Sequence, residues 1–88
     1  MKVENTIDLG NGHKIEFGES TWDEDSLSVR NRYPTSTGGF SPRSSSEIPL
    51  NDVKLIVINS IEHGYLSKDD IFEIIESGLN ELKNNRNE

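Results

Sequence analysis

The sequence predicts an α+β domain: a small antiparallel β-sheet, made of an N-terminal hairpin and a third strand, followed by a C-terminal α-hairpin. Three observations carry this. Apolar and polar residues alternate early in the chain, around a Gly10-Asn11-Gly12 turn signal. Apolar residues recur at three- and four-residue spacing in the second half. A segment punctuated by Pro and Gly separates the two patterns. The 88 residues make one domain at most, read as a sheet over 1–33, a loop over 34–47, two helices over 48–83 and a frayed tail over 84–88.

Residues 3–17 read as the hairpin. Ile7 and Leu9 alternate with Asp8, and Ile15 and Phe17 alternate with Lys14 and Glu16. One face is thus apolar and the other charged. Residues 18–25, GESTWDED, read as an acidic connection in which Trp22 covers an edge of the core. Residues 27–33, LSVRNRY, read as the third strand. Leu27, Val29, Asn31 and Tyr33 share one face, and Ser28, Arg30 and Arg32 share the other.

The first helix spans 48–63. Pro49 fits its first turn, and Asn51 and Asp52 suit its positive end. Leu50, Val53, Val57 and Ile61 form its stripe, widened by Ile56, and Gly64 stops it. The run Leu55-Ile56-Val57-Ile58 is rich in β-branched residues and keeps a strand open as the alternative. The second helix spans 67–83. Ser67 is its N-cap, Asp70 sits three residues on, and Leu66 and Ile71 occupy the positions of a hydrophobic staple. Ile71, Ile74, Ile75, Leu79 and Leu82, with Phe72 at one edge, make a wide apolar stripe. The short connection between the helices implies that they fold back on each other.

Composition narrows the function. Hydrophobic residues are 31% of the chain, low for a globular domain. A short chain with so few buries a modest core, so a homo-oligomer is expected. There is no cysteine, which excludes disulfides and thiolate metal sites. No apolar run reaches membrane-spanning length and no signal peptide is read at the N-terminus, so the expected compartment is the cytoplasm. A net charge of −7 disfavours duplex nucleic acid as a partner.

The charge is unevenly placed. The window Ser26–Ser46, SLSVRNRYPTSTGGFSPRSSS, holds three of the four arginines and no Asp or Glu. It carries +3 in a chain of −7, leaving −10 elsewhere. Arginine is suited to forked recognition of phosphate or carboxylate. Arg30 and Arg32 project from one side of the third strand with Cα atoms about 7 Å apart, a spacing that suits two phosphates or one diphosphate. The alternative is that both pair with acidic neighbours such as Glu16 or Asp8 across the sheet. Arg43 adds a third fork, and Ser44, Ser45 and Ser46 add hydroxyl donors. Tyr33 and Phe40 can stack on a base, and Asn31 or Glu47 can read polar edges. Together these residues match the requirements of a nucleotide. They include no histidine base beside the serines, no phosphate-binding glycine loop and no metal-ligand spacing. The expected protein is therefore not an enzyme and needs no cofactor.

The segment Ser28–Pro49, with its RNRY and GGFSPRSSSEIP stretches and the helices that follow, resembles the Thoeris anti-defence sponge family of bacteriophages. The resemblance implies a protein that sequesters a cyclic nucleotide, an isomer of cyclic ADP-ribose made by host TIR-domain enzymes or a cyclic oligonucleotide, without cleaving it. It also implies assembly as a dimer or higher oligomer, and ligand contacts at Arg30 or Arg32, Phe40 and Arg43. A reading from another class is an acidic inhibitor or nucleic-acid mimic that acts by direct protein contact. On that reading the arginines are structural and the carboxylates do the work.

Overall fold

The computed structural model describes residues 1–37, 39, 41 and 45–85. Its elements are β1 (Lys2–Gly10), β2 (His13–Ser20), β3 (Asp23–Arg32), β4 (Ser46–Pro49), α1 (Leu50–Glu62) and α2 (Lys68–Asn84). The strands form one antiparallel sheet in the order β1-β2-β3-β4. The α+β class and the order of sheet then helices are as the sequence implies. The chain divides into two compact units, residues 1–55 and 56–88.

The first hairpin turns through Gly10, Asn11 and Gly12, which have φ of 93°, 56° and 81°. Only residues tolerant of the left-handed region accept three such angles in a row. Both hairpin strands run further than alternation alone implies. The GESTWDED segment is mostly strand: Gly18, Glu19 and Ser20 end β2, and Asp23, Glu24 and Asp25 begin β3. A register shift between Glu19 and Ser20 absorbs the tight turn at Thr21 and Trp22. Trp22 is more than half exposed and covers no core. It lines a shallow groove with Asp25, Ser26, Leu27, Pro49, Leu50 and Asn51.

The loop expected over 34–47 ends early, because Ser46 and Glu47 belong to β4. This strand pairs Ile48 with Val29 and Glu47 with Arg30. Pro49 closes it rather than opening a helical turn. A proline has no N–H to give, so the end of an edge strand accommodates it. The helix then begins at Leu50, and the β-branched run from Leu55 to Ile58 is helical.

The helix ends follow capping chemistry. At the end of α1, Gly64 has φ 77°, its N–H bonds the Ile61 carbonyl at 3.2 Å, and the Tyr65 N–H bonds the Ser60 carbonyl at 2.9 Å. That pair of bonds is a Schellman motif. At the start of α2, Ser67 Oγ accepts the Asp70 N–H at 3.1 Å. Neither helix buries a residue.

Burial is inverted relative to ordinary sheets. Among the described residues no hydrophobic side chain is buried, whereas Glu16, Ser20 and Ser28 are. These three, with Gly18, lie on the even-numbered face of β2 and β3. Ile7 and Leu27, on the apolar face, are 44% and 50% exposed. Gly18 makes the close packing of the polar face possible. A methyl group built there would overlap the carbonyl oxygen of Lys2 and come within 2.9 Å of the Val3 Cα. The substitution Gly18→Ala is expected to push β1 off the sheet and to cost about 1–3 kcal/mol, a fall of several degrees in melting temperature for a chain of this size. An unchanged melting curve would contradict this packing.

Candidate functional site

The sheet places the charged residues in rows. Thr6, Glu16, Arg30 and Glu47 stand side by side across β1 to β4, and Asp8, Lys14 and Arg32 form the next row across β1 to β3. Glu16 binds both arginines. Arg30 Nε donates to Glu16 Oε1 at 2.9 Å, and Arg30 Nη2 lies 2.8 Å from the same oxygen. Arg32 Nη1 donates to Glu16 Oε2 at 3.2 Å. One carboxylate thus orients two guanidinium groups, using charge-assisted bonds on both oxygens. The cross-strand pairing with Glu16 that the sequence left as the alternative for these arginines is present. The side chains of Arg30 and Arg32 remain 17% and 34% accessible, against 4% for Glu16.

Burial alone would raise the Glu16 pKa. The hydrogen bonds and charges of Arg30, then those of Arg32, outweigh it and hold the carboxyl below its usual range. Glu47 behaves alike for a different reason. Burial raises its pKa, but its oxygens accept the Thr21 hydroxyl at 2.6 Å, the Thr21 N–H at 2.8 Å and the Ser28 hydroxyl at 2.7 Å, and the net shift is downward. The N-terminal ammonium donates to Thr21 Oγ1 at 2.7 Å and extends this network. Glu47 is therefore committed to joining the β2–β3 turn to β4. Its engagement there argues against the base-reading role that the sequence offers for it.

Tyr33 belongs to a different group. Its ring stacks on His13, with centroids 4.4 Å apart and planes 8° from parallel. Asn31 joins the pair, bonding His13 Nε2 through its carbonyl oxygen and donating to Tyr33 Oη at 3.3 Å. These side chains share the apolar face, opposite the arginines, as strand alternation requires. The structure thus brings Arg30 and Arg32 together and sets Tyr33 apart from them. Ser45 Oγ accepts the Tyr33 N–H at 3.0 Å, so this hydroxyl holds the loop to the strand. Phe40, Arg43 and Ser44, the other expected contacts, lie outside the described residues.

The base of the loop is well tied. Ser41 N–H bonds the Tyr33 carbonyl at 2.9 Å, and Thr35 N–H bonds the Gly39 carbonyl at 2.6 Å. Thr35 Oγ1 accepts the Gly39 N–H at 2.9 Å. Pro34 packs on Gly12, where a Cβ would fall 2.8 Å from the proline ring. Among the described residues, no three His, Asp or Glu side chains are grouped to hold a metal ion, and no helix is long and apolar enough to cross a membrane.

The chain matches no family model, and neither the curated proteins nor the solved structures contain a match to it.

The substitution Glu16→Gln removes the shared counter-charge of two partly buried guanidinium groups. It is expected to cost about 1–3 kcal/mol at neutral pH, read by thermal unfolding. The depressed pKa also sets a pH dependence. The stabilisation from the ionised carboxylate is complete above the unfolded value of about 4.3 and is lost as pH falls through the lower folded value. Wild-type protein should therefore lose stability across that acidic window more steeply than the Gln variant. Parallel curves would show that the carboxylate contributes nothing.

Proposed function

We propose that this protein is a non-enzymatic binding protein of the bacterial cytoplasm that sequesters a cyclic nucleotide immune signal intact, as a phage-type counter-defence protein. The ligand is an isomer of cyclic ADP-ribose or a cyclic oligonucleotide. In this reading Arg32 and Arg43 take the phosphates, Phe40 stacks on a base, and Ser44 adds a hydroxyl. Arg30 and Glu16 hold the array in place. The working form is a homo-oligomer.

The observation that supports the reading is that Arg30 and Arg32 share one face of β3, with 34% of the Arg32 side chain still accessible beside Glu16. A fixed guanidinium loses less freedom on meeting an anion than a mobile one, so a clamped pair is preorganised. Lys14 stands between Asp8 and Arg32 across the strands. The strand then runs directly into the acid-free loop that contributes Arg43. The resemblance to the sponge family supplies the ligand class. A second reading, inhibition of a protein by direct contact, is favoured by one observation: large apolar side chains are exposed throughout the described chain.

Calorimetric titration with cyclic ADP-ribose isomers and cyclic dinucleotides separates the two. A ligand at 100 times its dissociation constant should raise folding stability by about 2.7 kcal/mol. Arg32→Ala and Arg43→Ala should each weaken binding by about 2–5 kcal/mol, and Phe40→Ala by about 1–3 kcal/mol. The ligand recovered after denaturation should be chemically unchanged. Replacing Asp23, Glu24 and Asp25 by Asn, Gln and Asn should leave binding intact. Silent arginine variants together with loss of activity in the acidic variant would favour the inhibitor.

A further inference from the structure

Along α2, Phe72, Ile75, Leu79 and Leu82 follow one another at spacings of three, four and three. That is the heptad seam of a helix built to pair with another helix. The four side chains are 50–69% exposed. A groove of about 580 Å³ follows the seam, flanked by Glu76, Asn80 and Lys83. Single exposed apolar residues are ordinary, but four in line mark an interaction surface. We infer that this seam is a self-association surface, on which a second copy of the chain lays its own α2 antiparallel. Phe72 then meets the partner's Leu82, and Ile75 meets the partner's Leu79.

Charge selects both the occupant and the orientation. One flank of the seam carries Asp69, Glu76 and Lys83, spaced by seven. Antiparallel pairing sets Asp69 against the partner's Lys83, and two-fold symmetry makes that contact twice. Glu76 meets its own copy once, at the axis. A parallel pair would face the same flank with Ile71 and Gly78 and find no charge partner. It would also place like ends of the two helix dipoles together. The other flank presents Gly78 at the axis. A Cβ there would find nothing within 4 Å, which leaves that side open to close backbone approach. A membrane surface is the wrong occupant. The polar side of α2 carries Asp69, Asp70, Glu73, Glu76 and Glu81 against Lys68 and Lys83, whereas helices that lie on anionic lipid are rich in Lys and Arg there. The pairing is independent of the nucleotide-binding reading and stands if that reading fails.

Sedimentation equilibrium of the full chain at micromolar concentration tests it. The expected species is a dimer or a multiple of one. Phe72→Asp and Leu79→Asp should give monomers, and because both positions are exposed their circular dichroism should retain helix and sheet. Lys83→Glu should raise the dissociation constant roughly fivefold or more, and Asp69→Lys in the same chain should restore it. Since the chain has no cysteine, a single Asn84→Cys accepts a spin label and reports the orientation. Backbone separation should be about 20 Å for the antiparallel pair, against about 10 Å for a parallel one. A wild-type monomer, a dimer indifferent to Leu79→Asp, failure of the charge swap to rescue, or the shorter separation would each overturn the proposal.

Discussion

The carboxylate of Glu16 is the contact on which the sheet depends. It lies on the covered face, and two strand residues of β3 converge on it. Taking an ionised carboxylate out of water is costly unless its oxygens are satisfied and a counter-charge is near. Arg30 and Arg32 supply both conditions. The same contact pins β2 to β3 at the centre of the sheet, where Phe17 faces Val29 on the opposite side. Register is a strict matter in strands, because a slip of one residue exchanges the faces. Here a slip would carry Glu16 away from both arginines, so the ion cluster specifies the pairing as firmly as an apolar face would.

Glu47 plays the corresponding part at the other margin. Its bonds reach Thr21 and Ser28, so the short β4 is attached by a side chain as well as by its ladder. The buried interior of the first unit is therefore polar and hydrogen-bonded. Such networks contribute uniqueness of structure more than net stability. Ile7 and Leu27, on the reverse of the sheet, and the seam of α2 remain open to water. Among the described residues the polar interior is saturated by side-chain bonding, while the large apolar side chains stay accessible.

Much of this was legible in the residues. The alternation around Ile7, Ile15 and Val29 implied the strands, Gly10-Asn11-Gly12 implied the turn, and Ser67 and Gly64 implied the helix ends. These signals are local, and local chemistry is sufficient to produce them. β4 was not legible, because Ser46, Glu47, Ile48 and Pro49 have no strand propensity together and pair only where β3 offers an edge. The strand character of GESTWDED was hidden in the same way, since an acidic run looks like a turn until its pairing is known. The clamp of Glu16 on Arg30 and Arg32 could be named only as an alternative, because the choice between a strand neighbour and an outside anion depends on register. The separation of Tyr33 from the arginines was already implicit in their alternation along one strand. His13 as its stacking partner carried no sequence signal.

The knot at Tyr33 has a consequence for the loop it closes. Both backbone groups of this residue are used to fasten the loop, the N–H by Ser45 and the carbonyl by Ser41, and Pro34 is seated on Gly12. The intervening segment is thus closed at its neck like the mouth of a drawstring bag. Once a loop is closed, doubling its length costs only about 0.6 kcal/mol. Insertions, deletions and wholesale replacement beyond the neck leave the strand register untouched. The sequence between the tied residues is thus free to vary in length and composition at little cost to the sheet beneath it.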